Sequence, residues 1–115
     1  MSNEPCHYHD PSDRNYRAAL SKGAPDVWEA FKAFDDVALR SPDAVLPTKY
    51  RELMAVGVAL TTQCPYCLES HTRAAKKAGA TAAELAETVF VATALRAGAG
   101  ITHGFMAMKF FQEEG

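Results

Sequence analysis

From residue 25 onward the apolar positions recur at helical spacing, and no alternating apolar/polar stretch is long enough to form a strand. The first clear helix is predicted from Pro25 to about Leu39: the proline suits a first turn, Asp26 and Glu29 complement the dipole, and Val27, Phe31, Phe34 and Ala38 form one stripe. Ser41-Pro42 stops it. A second helix is expected from Pro47-Thr48 to about Thr62. Its apolar residues Leu53, Met54, Val56, Val58 and Leu60 nearly encircle it, which marks it as the central helix. Gly57 inside it costs about 1 kcal/mol relative to alanine, so a close backbone approach is expected there. A third helix opens at Cys64-Pro65 and closes at Gly79, with Arg73, Lys76 and Lys77 in its later turns.

Thr81-Ala-Ala-Glu84 reads as a capping box that starts a fourth helix burying Leu85, Val89, Ala92 and Leu95. Gly98 and Gly100 are expected to break that helix. A last helix would follow, with Ile101, Phe105, Met108 and Phe111 on one side and Met106 and Phe110 on another. Apolar surface in two directions on one small helix exceeds what a single core absorbs and points to subunit contacts. Trp28, Phe31 and Phe34 are read as core residues. Residues 1–23 are polar and punctuated by Pro5, Pro11 and Gly23, so they read as an N-terminal arm with a short helix around Asp13 to Leu20. Residues 24–115 then form one all-α domain of about five to six helices.

Composition narrows the function. A hydrophobic content of 48% with 23% charged residues is that of a folded domain, and a chain of 115 residues has room for one modest core. The net charge of −2, with both signs interspersed, gives no reason to expect nucleic acid or a membrane surface as partner. The first residues lack the pattern of a secretory signal, and no apolar run approaches the roughly 20 residues of a membrane span, so a cytoplasmic location is expected. In that reducing compartment a Cys-x-x-Cys pair reads as catalytic or metal-binding rather than structural.

That pair lies in TTQCPYCLESH, residues 61–71. Pro65 at the first helical position makes Cys64 the N-cap and puts Cys67 in the first turn. Both sulfurs then lie at the positive end of the helix dipole, where thiol pKa values fall, and the spacing lets them close a reversible disulfide. His71 follows Cys67 by four residues on the same face, within reach of its proton. A carboxylate that orients this base would have to come from elsewhere. In one continuous helix Glu52 would lie about 18 Å from Cys64. A tight reversal near Gln63 instead sets His71 beside Ala55, one turn from Glu52, on the face shared by Glu52, Val56, Ala59 and Gln63. The constellation so derived is Glu52–His71–Cys67/Cys64.

Plainer readings stand beside this one. The cysteines can be inert thiols or half of a zinc site, for which His103 or the tail residues Cys6, His7 and His9 are the further donors on offer, none at a helpful spacing. The tail cluster can be a solvated arm, His103 a core or interface histidine, and His71 a surface residue. Glu52 can pair with neighbours around Arg51 or with Arg73 at a subunit surface.

The run Glu52, eleven residues, Cys64-x-x-Cys67, three residues, His71 resembles the AhpD-like alkylhydroperoxidases of the carboxymuconolactone decarboxylase family. The resemblance extends over about residues 24 to 111, including PDVWEAFKAFD and KKAGATAAELAE. It implies an all-helical homo-oligomer, trimeric or hexameric, that reduces a small hydroperoxide without metal, haem or flavin and is itself re-reduced by a lipoyl-bearing or thioredoxin-like donor. By the resemblance, Cys67 attacks the peroxide, Cys64 resolves the sulfenic acid to a disulfide, and His71 with Glu52 relays the proton. The dipole alone would favour Cys64 as the attacking thiol. The chain also departs from the family pattern: a histidine usually precedes the second cysteine, and here that residue is Tyr66, a poor base at neutral pH. Rivals that use the same thiols are a general disulfide oxidoreductase and a metal- or redox-sensing oligomer.

Overall fold

The computed structural model describes residues 10–114. A 3-10 helix, Pro11–Tyr16, leads into five α-helices: α1 Arg17–Gly23, α2 Pro25–Arg40, α3 Thr48–Thr62, α4 Pro65–Lys77 and α5 Ala82–Gln112. No strand occurs among the described residues. Several starts have a local cause. Asp10 caps the 3-10 helix by accepting from the Ser12 amide, with Asp13 returning the bond to the Asp10 amide. Pro25 fills the first turn of α2, and Thr81 and Glu84 cap α5 reciprocally. The arm expected over residues 1–23 is therefore helical from Pro11 to Gly23.

Two left-handed residues turn the chain. Gln63 (φ 57°, ψ 49°) ends α3, and the Cys64 amide reaches back to the Ala59 carbonyl at 3.1 Å, closing a Schellman-type cap. Gly79 (φ 100°) does the same for α4, with the Ala80 amide bonded to the Ala75 carbonyl at 2.9 Å. The first reversal folds α4 back along α3, and the second sends α5 along another side of it.

The expectation for α3 holds: it is the hub, packed most extensively on α4, then on α5, and lightly on α2. Leu53, Val56 and Ala59 of α3 meet Ala75 of α4 and Ala92 of α5 in the buried core. Lys49 and Glu84 pair at 2.9 Å across the starts of α3 and α5. Arg96 donates to the Thr61 carbonyl at 2.8 Å, satisfying one of the open carbonyls at the end of α3. Arg51 is buried and ties the α2–α3 loop to α3, donating to the carbonyls of Leu46 (3.0 Å) and Ser41 (2.9 Å) and to the Thr48 hydroxyl (3.3 Å).

Three expectations are overturned. Gly98 and Gly100 do not break a helix, and α5 runs unbroken for 31 residues. Glycine lowers helix stability without blocking the hydrogen-bond ladder, and the flanking Ala, Leu and Met residues outweigh it. Phe31 and Phe34 are exposed in this chain, at 54% and 71%, and Leu95 of α5, on an open groove beside α3, is also exposed, because no element among the described residues closes over those positions. At Gly57 an added Cβ would meet only the Thr88 side chain, at 3.8 Å, so no backbone approaches closely.

Gly57→Ala therefore removes a helix penalty at an ordinary van der Waals distance. It should raise the unfolding free energy by about 0.5–1 kcal/mol, seen as a higher denaturant midpoint at unchanged slope. A lower midpoint would mean that α5 packs more tightly there than described.

Candidate active site

Glu52 lies one turn into α3, on the face turned towards α4, and is 3% exposed. Its Oε2 lies 2.6 Å from Nδ1 of His71. The Gln63 reversal makes this contact direct, where sequence reasoning left about one turn of axial offset for the side chain to span. A carboxylate only accepts, so Nδ1 carries the proton and Nε2 is left as the basic nitrogen. Arg73, the alternative partner for Glu52, instead approaches Glu69 on its own helix at 3.5 Å.

Cys64 is the N-cap of α4, and its Sγ accepts from the Cys67 amide at 3.3 Å. Both cysteines are free thiols and half-buried. Their environments differ more than the helix dipole alone predicts. Hydrogen bonds from the Cys67 side chain and amide hold Cys64 below the ordinary thiol range. Burial, followed by the hydrogen bond and charge of Cys64, pushes Cys67 up to about 11. The expectation that both thiols fall together is thus corrected. Cys64 at the helix start is the more acidic of the two, and its charge when ionised, with burial, disfavours ionisation of its neighbour.

Cys67 and His71 open onto a cavity of about 650 Å³ between α2 and α3, walled by apolar side chains including Phe34, Leu39, Leu46, Met54 and Val58. Arg51 also lines this cavity, and its Nη1 is buried without a hydrogen-bond partner. Arg51 escaped the sequence reading because nothing local marks an arginine as buried.

Tyr66, in the position of the family's histidine, donates its hydroxyl to the Asp13 carboxylate, and that bond holds the phenol above its usual range. Beside it, Arg14 donates to the Tyr66 carbonyl at 3.2 Å and to the Ser70 hydroxyl at 2.7 Å. These contacts join residues more than 50 positions apart, and no periodicity in the sequence signals them. His103 is exposed on the distal half of α5. No group of three or more His, Cys, Asp or Glu side chains suited to a metal ion occurs among the described residues, and Cys6, His7 and His9 lie outside them. No helix among the described residues is long and apolar enough to cross a membrane.

Residues 25–110 match the sequence pattern of the carboxymuconolactone decarboxylase family. The chain belongs to that family. Among its relatives, uncharacterized protein 4 of the cox locus of Paracoccus denitrificans is 36% identical over 93 residues, covering 81% of this chain and 82% of the relative. An uncharacterized protein of Cupriavidus necator is 30% identical over 93 residues, covering 81% and 80%. Among solved structures, the apo form of lpg0406, a family member from Legionella pneumophila, superposes with a TM-score of 0.66 at 30% identity, covering 73% of each chain. The family includes both decarboxylases and peroxidases, so membership establishes the helical fold and leaves the reaction to be argued from the side chains.

The two thiols should be separable by pH. With Cys64 lowered and Cys67 near 11, iodoacetamide at pH 7 should label Cys64 first, and labelling of Cys67 should keep rising with pH after Cys64 has reached its plateau. Residue-resolved mass spectrometry reads both, and faster labelling of Cys67 at pH 7 would reverse the assignment.

Proposed function

We propose that this protein is a thiol-dependent peroxidase that reduces small apolar hydroperoxides through the Cys64/Cys67 dithiol. The observation that carries the reading is the buried Glu52 carboxylate on Nδ1 of His71, with Cys67 one turn away on an apolar cavity. At neutral pH a thiol near 11 is protonated, so attack requires a base. Nε2 of His71 takes the Cys67 proton as its sulfur bonds to the terminal peroxide oxygen. The O–O bond breaks, and the departing alkoxide receives the proton from His71 and leaves as the alcohol.

Cys67 is then a sulfenic acid. The Cys64 thiolate attacks that sulfur, the S–S bond forms, and hydroxide leaves as water after protonation. The sum is two thiols plus hydroperoxide giving disulfide, alcohol and water. An external dithiol, lipoyl-bearing or thioredoxin-like, returns two electrons and two protons by exchange. No step calls on a metal, haem or flavin.

Homo-oligomerisation belongs to the same proposal. A compact chain of 12.5 kDa exposes about 6,200 Å², whereas this one exposes 9199 Å². Its radius of gyration is 18.8 Å, against about 13 Å for a compact domain of this length. Val27, Phe31 and Phe34 of α2 and Ile101, Phe105, Met108 and Phe111 of α5 are all more than half exposed. Faces this apolar are covered by further copies of the chain.

A second reading, general disulfide exchange, is favoured by one observation: the lowered thiol is Cys64 at the helix N-cap, the arrangement that suits attack on an external disulfide. One set of measurements separates the two. One equivalent of an alkyl hydroperoxide should consume both thiols together. Dimedone should trap a sulfenic acid on Cys67 in Cys64→Ser and none in Cys67→Ser, and His71→Gln should slow thiol loss by about 10²- to 10⁴-fold. Intact thiols after hydroperoxide, with rapid exchange against glutathione disulfide, would establish the second reading instead. A sulfenic acid on Cys64 would reverse the two roles.

Light scattering should give the mass of a trimer or hexamer, and Phe105→Glu should lower it. A native mass of 12.5 kDa would remove the proposed assembly.

A further inference from the structure

We propose that Arg14 is a positioning residue of the dithiol site: the N-terminal 3-10 helix clasps the first two turns of α4 and sets a guanidinium beside the turn that carries Cys67, where it acts on that cysteine's reactivity. The inference rests on the peroxidase reading for its purpose but not for its test.

The clasp has two crossed parts from adjacent residues. Asp13 accepts from the Tyr66 hydroxyl. Arg14 donates through Nη2 to the Tyr66 carbonyl at 3.2 Å and to the Ser70 hydroxyl at 2.7 Å, while Nη1 lies 3.7 Å from Glu69. Tyr66 and Ser70 stand one residue before Cys67 and three after it, so the guanidinium lies on the helix face next to that cysteine, over the first two turns of α4. The Arg14 side chain is 35% exposed, which leaves its charge only partly screened.

Asp35, Arg51 and His71 line the cavity onto which the cysteine opens, and Arg51 is tied by its other nitrogens to the Leu46 and Ser41 carbonyls. Cys64 is the negative neighbour that opposes a second thiolate. The Glu52 carboxylate is committed to His71, and Arg73 to Glu69. Glu69 draws on the Arg14 charge from its own helix, and Asp13 is engaged by the Tyr66 hydroxyl. Burial and Cys64 push the Cys67 thiol up, and the charge of Arg14 acts weakly in the opposite sense. The clasp also accounts for Tyr66. Its phenol anchors the segment that carries Arg14 and takes no part in the proton relay.

The test reads the thiol and needs no peroxide, so it gives a result even in a protein that consumes none. In a Cys64→Ser background, the pH dependence of iodoacetamide labelling is followed at Cys67 by mass spectrometry, with circular dichroism confirming helix content. Arg14→Gln, which keeps amide donors but loses the charge, should slow labelling at pH 7.5 by about three- to tenfold and move the half-labelling pH upward. Arg14→Lys should restore the rate to within about twofold, because the opposite charge that favours the thiolate is kept. Glu69→Gln should change the rate in the opposite direction, since the guanidinium then loses a competing carboxylate. An equal slowing by Gln and Lys, or no change in either, would reduce Arg14 to a structural tether and overturn the proposal. If Arg14→Gln does not fold, slower labelling in Glu69→Gln overturns it alone.

Discussion

A carboxylate buried in the middle of an apolar helix sets the terms for the rest of this structure. Glu52 is almost fully removed from water, and an ion in that position costs several kcal/mol unless a partner meets it. His71 meets it at 2.6 Å, and it can do so only because the chain reverses through left-handed Gln63 and α4 returns along α3 in one register. Sliding α4 by a single turn, about 5.4 Å, would leave both groups unpartnered. The bond that fixes how two helices pack is thus the bond that selects the histidine tautomer, and helix register and acid–base chemistry become one constraint.

This concentration explains why the site is legible in the sequence. Glu52, Cys64, Cys67 and His71 lie within one helix–turn–helix, so helical spacing and one inferred reversal are enough to bring them together. Proline at the first position of α4 makes Cys64 its cap, and Gly79 and Thr81 mark the next turn by equally local chemistry. What depends on distant residues or on magnitudes is hidden. Nothing around Arg14 or Asp13 indicates that they grip a helix more than 50 residues away. The continuity of α5 through Gly98 and Gly100 depends on a sum over 31 residues, which a rule about single glycines misjudges. The burial of Cys67 is likewise invisible along a helix that is half-buried on several sides.

The apolar pattern marks the helices correctly, but the aromatics of α2, which it suggests as core, are exposed in this chain. Periodicity shows that a face is covered without showing by what. For α3 the cover is α4 and α5 of the same chain. For the stripe on α2 and the far end of α5 no cover lies within the described chain. In the proposed assembly those faces meet other copies, and Phe34 connects the two questions, since it belongs to the exposed stripe and also walls the cavity onto which Cys67 opens.

The unequal thiols fit a dithiol cycle better than two equally acidic ones would. Two thiolates three residues apart repel each other, so lowering one raises the other. In the proposed cycle Cys64, the more readily ionised thiol, suits attack on a sulfenic acid, whereas a protonated Cys67 is a weak nucleophile except where a base can take its proton. In the same cycle His71 takes that proton, and the apolar cavity opens onto Cys67 and not onto Cys64. Selectivity between the two sulfurs then rests, in that proposal, on burial and one oriented imidazole.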